Sequence, residues 1–105
     1  MRAAGMPDGE YTLGGQSVQV ADGQCRLADG TLAGSVLKLN EALRNMKKYT
    51  DLPLHRIVTM ATLNPAKAIG VDSDRGEIEI GKRADLVVCD EDFNVFATYI
   101  GGEKI

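Results

Sequence analysis

The sequence predicts a small α+β fold made of a β-meander, three helices and a group of C-terminal strands. Three observations support it. The first third has short runs separated by hairpin-turn dipeptides, the middle third repeats its apolar residues every three to four positions, and the last third returns to strand-forming runs. A chain of 105 residues has the length of one domain. We expect one compact unit with three segments, residues 1–34, 35–70 and 71–105.

Two dipeptides define the meander. Gly14-Gly15 and Asp22-Gly23 each separate two short runs, and glycine tolerates the positive φ that a type I′ hairpin turn requires. Val18 and Val20 share one face of the middle run, which is therefore the expected core face. The three runs are residues 10–13, 16–20 and 24–27.

The period changes from two to 3.6 at Ser35. Apolar residues then fall on one helical face from Val36 to Met46, and the Ser35 hydroxyl is placed to cap the first turn. Lys47 and Lys48 follow in the last turn, where positive charge suits the helix dipole.

Two shorter helices are expected next. One begins after Asp51 with Pro53 in its first turn, and the other begins at Asn64-Pro65 and ends at Gly70 as a C′ residue. Three strands are then expected: Glu77–Ile80 from its alternation, Leu86–Val88 as a buried run, and Phe93–Ile100.

Composition excludes several classes of partner. The net charge is -3 and no basic cluster is longer than Lys47-Lys48, so we expect neither nucleic acid nor membrane as a partner. No apolar stretch approaches the ~18 residues of a spanning helix, and no signal-peptide core is present. Cys25 and Cys89 match no zinc or redox spacing and are interpreted as small buried hydrophobes. We expect a cytoplasmic protein.

Three patterns that suggest chemistry are better explained structurally. Gly76–Lys82 matches the start of a P-loop, but its interior predicts a strand and Arg83 replaces the magnesium-binding hydroxyl. His55 has no base or ligand partner nearby in sequence. The acidic run Asp90–Asp92 lacks the spaced oxygen ligands and glycine of a calcium loop.

The stretch Asp29–Ser35 is the best candidate for a binding site. A loop of small residues that leads into a helix can leave backbone amides open to a polar ligand. The alternative is that Gly30 and Gly34 supply turn geometry and Ser35 only caps the helix.

Two segments resemble the amidohydrolase superfamily. Gly76–Asp90 is similar to its G-x-I-x-x-G-x-x-A-D-L-V-V-x-D motif, and Met60–Gly70 is similar to the helical segment before it. Residues 1–11 and 27–35 resemble, more narrowly, the amino-sugar phosphate deacetylases of that superfamily.

The resemblance implies a fold and an activity. The 105 residues would be the last part of a (β/α)₈ barrel and part of its accompanying β-sandwich. The meander would lie at the barrel mouth, Val36–Met46 would be a late barrel helix and residues 76–105 would be sandwich strands. The reaction would be hydrolysis of N-acetylglucosamine 6-phosphate to glucosamine 6-phosphate and acetate, in amino-sugar catabolism. The sugar phosphate would contact Leu32, Ala33, Gly34 and Ser35.

The family's remaining machinery has no counterpart in the sequence. The catalytic aspartate and the ligands of the divalent metal would lie upstream of Met1, so no catalytic or metal residue is assigned here. We expect a C-terminal piece of a larger enzyme that is inactive alone and binds no cofactor. We also expect self-association, since the apolar helix face needs a partner.

Two alternatives stay open. The chain could belong to another hydrolase or deaminase of the superfamily, or it could be a stand-alone, non-enzymatic binding domain. Acetate release from the phosphorylated amino sugar separates the first alternative from the deacetylase reading, and titration of that sugar against the purified chain tests the second.

Overall fold

The computed structural model describes residues 4–105, so Met1, Arg2 and Ala3 of the N-terminal motif lie outside the described residues. The chain divides into two compact units, the first ending at Lys38 and the second covering Leu39–Ile105. This division differs from the single unit expected from the sequence.

The first unit is built on an antiparallel meander, as predicted. Its strands lie side by side in chain order and are β1 (Gly9–Leu13), β2 (Gln16–Ala21), β3 (Gln24–Leu27) and β4 (Leu32–Gly34). Both predicted two-residue turns have positive φ at both central positions, 59° and 83° at Gly14-Gly15 and 51° and 70° at Asp22-Gly23. That pair of angles is the type I′ geometry whose twist matches the flanking strands.

The core of the first unit lies on one face of this sheet. Val18, Val20 and Cys25 are buried there, and Val20 faces Cys25 across the β2–β3 pair. The valine face and the burial of Cys25 are therefore confirmed. Partly buried apolar side chains complete the cluster: Tyr11, Leu13, Leu27, Ala33 and Val36.

The second unit begins with helices α1 (Leu39–Tyr49), α2 (Leu54–Ala61) and α3 (Leu63–Ala68). Only Thr62 separates α2 from α3, so these two form one helical stretch with a break. Pro65 explains the break, because its ring nitrogen has no hydrogen to donate to the carbonyl of Ala61. Ile57 of α2 and Ala66 of α3 are the buried residues of this stretch.

The end of α3 is a Schellman motif. Gly70 has φ +72°, its amide donates to the carbonyl of Lys67 at 3.1 Å, and the Val71 amide donates to that of Ala66 at 2.9 Å. These are the two bonds that satisfy the last carbonyls of such a helix. The prediction of Gly70 as the C′ residue is confirmed.

The predicted start of α1 is wrong. The helix begins at Leu39 rather than after Ser35, and residues 35–38 are not helical. Val36 packs instead against the core of the first unit. Val36 therefore has the spacing of a helical apolar residue but contributes to the core of the meander. The placement of Lys47 and Lys48 in the last turn of α1 is confirmed.

A three-stranded antiparallel sheet ends the chain, with β5 (Leu86–Cys89), β6 (Val95–Ile100) and β7 (Glu103–Lys104) in that order. The strand predicted at Glu77–Ile80 is absent, and Ile78 and Ile80 are almost fully exposed. The run Leu86–Val88 does form a strand but is exposed rather than buried, and Cys89 is likewise exposed. Within residues 4–105, no helix is both long and apolar enough to cross a bilayer.

Candidate functional site

The predicted substrate-contacting residues lie at an edge of the first sheet. Leu32, Ala33 and Gly34 form β4, and Ser35 follows it. Among the described residues, β3 is the one strand that pairs with β4. Gly34 faces Cys25 and Leu32 faces Arg26, so Ala33 is an extra residue in a β-bulge. Bulges at sheet edges re-aim side chains, and they are over-represented next to active sites. Here the bulge turns Ala33 onto the core while Leu32 stays largely exposed.

The turn before β4 is held by local hydrogen bonds. The Asp29 carboxylate accepts the Thr31 amide at 2.9 Å, and the Arg26 guanidinium donates to the Gly30 carbonyl at 2.6 Å. The backbone and hydroxyl donors of Thr31 lower the pKa of Asp29. The Gly30 amide donates to the Leu27 carbonyl at 2.9 Å. Two amides of this loop are therefore already satisfied within it.

The structure does not bring a helix start to this loop. The Ser35 hydroxyl accepts the Leu37 amide at 3.1 Å, but neither residue is helical and α1 begins only at Leu39. The expected cap of a helix by Ser35 is therefore wrong. What remains of the candidate is an exposed, bulged strand edge followed by an exposed serine.

A shallow cleft of about 500 Å³ in the first unit lies elsewhere. Its lining contains none of the residues from Leu32 to Ser35, because β1 and β4 are opposite edges of the sheet. The lining residues are Met6, Glu10, Tyr11, Thr12 and Ser17.

Side chains of the family-like motif Gly76–Asp90 make hydrogen bonds and ion pairs within this segment and to residues next to it. The Lys82 ammonium is mostly buried and donates to the Asp72 carbonyl at 2.7 Å and to the Glu77 carboxylate. It also lies 3.4 Å from the Glu79 carboxylate. The bond to Glu77 is the main cause that raises the pKa of Lys82. Through these contacts, Lys82 holds the loop before β5 in place. This structural role agrees with the rejection of a P-loop.

Asp85 of the same motif ties the start of β5 to the turn between β6 and β7. Its Oδ1 accepts the Gly101 amide at 2.8 Å and the Arg83 Nε at 2.8 Å, and its Oδ2 lies 3.8 Å from Arg75. The Gly101 amide is the largest cause that lowers the pKa of Asp85, and Arg83 and Arg75 add to it.

The acidic turn Asp90–Asn94 is organised by α1. Asp90 accepts the amides of Asp92 and Asn94 at 2.9 Å each, and the side chain and amide of Asn94 lower the pKa of Asp90. Arg44 donates to the Asp92 carbonyl at 2.6 Å and Lys47 to the Glu91 carbonyl at 2.8 Å. The turn therefore contacts α1 through hydrogen bonds from Arg44 and Lys47. Sequence reasoning missed these roles because residues 48 and 44 positions apart make the contacts.

The described residues contain no set of side chains that could ligate a metal ion. His55 is exposed on α2, and residues 4–105 contain no group of three or more histidine, cysteine, aspartate or glutamate side chains that could hold an ion. The side chains of the described residues do not fit a divalent metal centre, so these residues supply no metal-assisted step by themselves.

Comparison with known proteins identifies the family. The model of the Amidohydrolase family matches residues 18–105, which is most of the chain. The chain belongs to the amidohydrolase family.

Two bacterial proteins are among the curated relatives. The chain is 45% identical over 103 residues to the "Putative N-acetylgalactosamine-6-phosphate deacetylase" of Escherichia coli (strain K12), covering 98% of this chain and 62% of that protein. It is 43% identical over 102 residues to the "N-acetylglucosamine-6-phosphate deacetylase" of Bacillus subtilis (strain 168), covering 97% of this chain and 26% of that protein.

A solved structure gives the same grouping. The N-acetylglucosamine-6-phosphate deacetylase of Pasteurella multocida matches with a TM-score of 0.90 and 39% identity, covering 98% of this chain and 27% of that one. The chain therefore spans about three-fifths of the first relative and about a quarter of the other two.

Proposed function

We propose that these residues serve a metal-dependent amidohydrolase that converts N-acetylglucosamine 6-phosphate and water to glucosamine 6-phosphate and acetate. The observation that carries the proposal is the match to the Pasteurella multocida deacetylase, with a TM-score of 0.90 at 39% identity over 98% of this chain. A similarity of that degree in both backbone and sequence specifies a much smaller group of enzymes than the superfamily motif does. The curated relatives support deacetylation of a phosphorylated amino sugar: the one at 45% identity is named for the galactosamine sugar and the one at 43% for the glucosamine sugar.

Within such an enzyme, we assign each segment a place. The meander of the first unit lies at the mouth of a (β/α)₈ barrel, α1 is a late barrel helix and the strands β5 to β7 belong to the accompanying β-sandwich. The exposed edge of β4 and the largely exposed side chain of Leu32 support a contact with a ligand at the mouth. The firm local bonding of Asp29 and Arg26 supports a loop that holds its shape while it does so.

The chemistry of this chain is binding and orientation. The amidohydrolase family generally uses a metal, which when bound would polarise the acetyl carbonyl and the attacking water. Among residues 4–105, no group of side chains could form its site. Leu32, Ala33, Gly34 and Ser35 contact the sugar phosphate, Ala33 through its backbone because its side chain packs against the core. The 105 residues alone do not hydrolyse this sugar.

An assay of the native protein tests the proposal. An antibody raised against this chain captures the protein from a lysate of its source, and acetate release is then measured with N-acetylglucosamine 6-phosphate. We expect release from this sugar, less from the galactosamine epimer and essentially none from unphosphorylated N-acetylglucosamine. The purified 105 residues should release none. Failure of the captured protein to deacetylate either phosphorylated sugar would overturn the assignment, and preference for the epimer would overturn its substrate.

A matched pair of variants of the native protein tests the contact at β4. Ser35→Ala should raise the KM for the sugar phosphate roughly three- to tenfold, the worth of one hydrogen bond. Ser17→Ala, which changes another exposed serine of the first unit, should leave the KM unchanged. Equal effects of the two variants, or none from Ser35→Ala, would remove Ser35 from the site.

A further inference from the structure

Three aspartate-glycine pairs lie in the first unit, and the fold treats them differently. They are Asp8-Gly9, Asp22-Gly23 and Asp29-Gly30. Such pairs can isomerise without an enzyme, because the glycine amide nitrogen meets no side chain as it approaches the aspartate carboxyl carbon. Whether one does depends on how firmly its carboxyl group and the next amide are held.

Asp29-Gly30 is held at both reacting groups. Its carboxylate accepts the Thr31 amide at 2.9 Å, and the Gly30 amide donates to the Leu27 carbonyl at 2.9 Å. Both bonds must break before the nitrogen attacks the carboxyl carbon. The lowered pKa of Asp29 also keeps the carboxyl group ionised, which disfavours loss of its oxygen as water.

Asp8-Gly9 is held by the sheet. Gly9 is the first residue of β1 and pairs with Val20, and the Asp8 Oδ2 accepts the Asp22 amide at 3.3 Å. Movement of Gly9 toward Asp8 would therefore disturb the β1–β2 ladder.

Asp22-Gly23 is free at both groups. The two residues form the exposed tip of the β2–β3 hairpin, with φ of 51° at Asp22, an uncommon value for a residue other than glycine. In the part of the chain that the structure describes, the Asp22 carboxylate accepts no hydrogen bond and the Gly23 amide has no acceptor. Opening the tip costs no core contact, since the cluster around Val18 lies on the strands.

We propose that Asp22 is a site of spontaneous isoaspartate formation in this chain. The Gly23 nitrogen forms a bond to the Asp22 carboxyl carbon and loses its proton, and the carboxyl hydroxyl leaves, so that one water is released and a succinimide ring results. A water then adds to either ring carbonyl. Opening at the side-chain carbonyl restores aspartate, and opening at the backbone carbonyl gives isoaspartate, with the main chain running through Cβ. Water is the only co-reactant, and mass and charge are unchanged overall.

The test is ageing of the purified 105-residue chain at neutral pH, with isoaspartate quantified at each pair by peptide mapping. We expect isoaspartate to accumulate at Asp22 at least about fivefold faster than at Asp29, the factor that one ordinary hydrogen bond is worth. Asp22→Glu should remove most of the product, because the longer side chain closes a six-membered ring poorly. The matched control Asp29→Glu should leave the product at Asp22 unchanged.

A second measurement separates the fold from the local sequence. In a strong denaturant, the three pairs should isomerise at similar rates, because their hydrogen bonds are gone. Selectivity for Asp22 that persisted in denaturant would overturn the structural account, and equal rates in the native chain would overturn the site itself. A peptide lighter by one water, seen at mildly acidic pH, would identify the succinimide. The result is independent of deacetylase activity.

Discussion

Gly76 shows how one residue of the family motif acts through packing. A Cβ at this position would lie 2.8 Å from the Ala66 Cβ and 3.2 Å from the Leu63 Cα, and φ is +101°. Real Cβ atoms essentially never approach another atom as closely as 2.8 Å, and the partners belong to the short helix α3. The glycine therefore allows the loop before β5 to lie against α3.

We expect Gly76→Ala to destabilise the chain by about 2–4 kcal/mol, as backbone strain at positive φ adds to overpacking. Gly81→Ala is the matched control, because φ there is +93° but no atom lies within 4 Å. It should cost only about 1–2 kcal/mol, the backbone part alone. Chemical denaturation followed by circular dichroism measures both. Equal losses would show that the contact with Ala66 contributes nothing.

At the scale of elements, local signals predicted more than distant ones. Positive φ at one or two residues determines the hairpin turns at Gly14-Gly15 and Asp22-Gly23 and the end of α3 at Gly70. Glycines in the sequence indicate such positions directly. The strand expected at Glu77–Ile80 depends on a neighbouring strand, and none pairs with it among the described residues. Ion pairs to Lys82 shape that stretch instead. The four candidate residues at β4 came from the family resemblance, since their bulge leaves no pattern in the sequence.

Asp85 joins two elements through its charge, which gives a pH dependence. Its pKa in the folded chain is below the ordinary 3.8, so its stabilising contribution is complete above that pH and is lost as the pH falls through the lower folded value. Asp85→Asn should therefore reduce the stability at neutral pH, and the difference from the original chain should shrink in acid. Asp51→Asn, at an exposed position outside the helices and strands, should change neither value. Denaturation at neutral and at strongly acidic pH checks this, and a constant difference across the range would contradict it.

At the scale of the whole molecule, the buried core is small and the second sheet is apolar on its surface. The buried apolar residues described are Val18, Val20, Cys25, Ile57, Ala66 and Phe93. By contrast, Val87 and Phe96 of the second sheet are more than half exposed. The sheet order β5-β6-β7 also leaves one edge of β5 without a neighbouring strand among the residues described. An exposed apolar edge is a template for pairing with another chain.

We therefore expect the 105 residues to self-associate, with a mass by light scattering above the 11.3 kDa of one chain. Val87→Lys should weaken the association at least about tenfold, because burying a valine side chain contributes about 1.5 kcal/mol and a lysine protects a strand edge. Gln19→Lys adds the same charge at an exposed position of the central strand β2 and should leave the association unchanged. Equal weakening by both variants would mean that net charge, rather than the edge of β5, controls assembly. A monodisperse monomer that melts cooperatively would mean that the exposed sheet needs no partner at all.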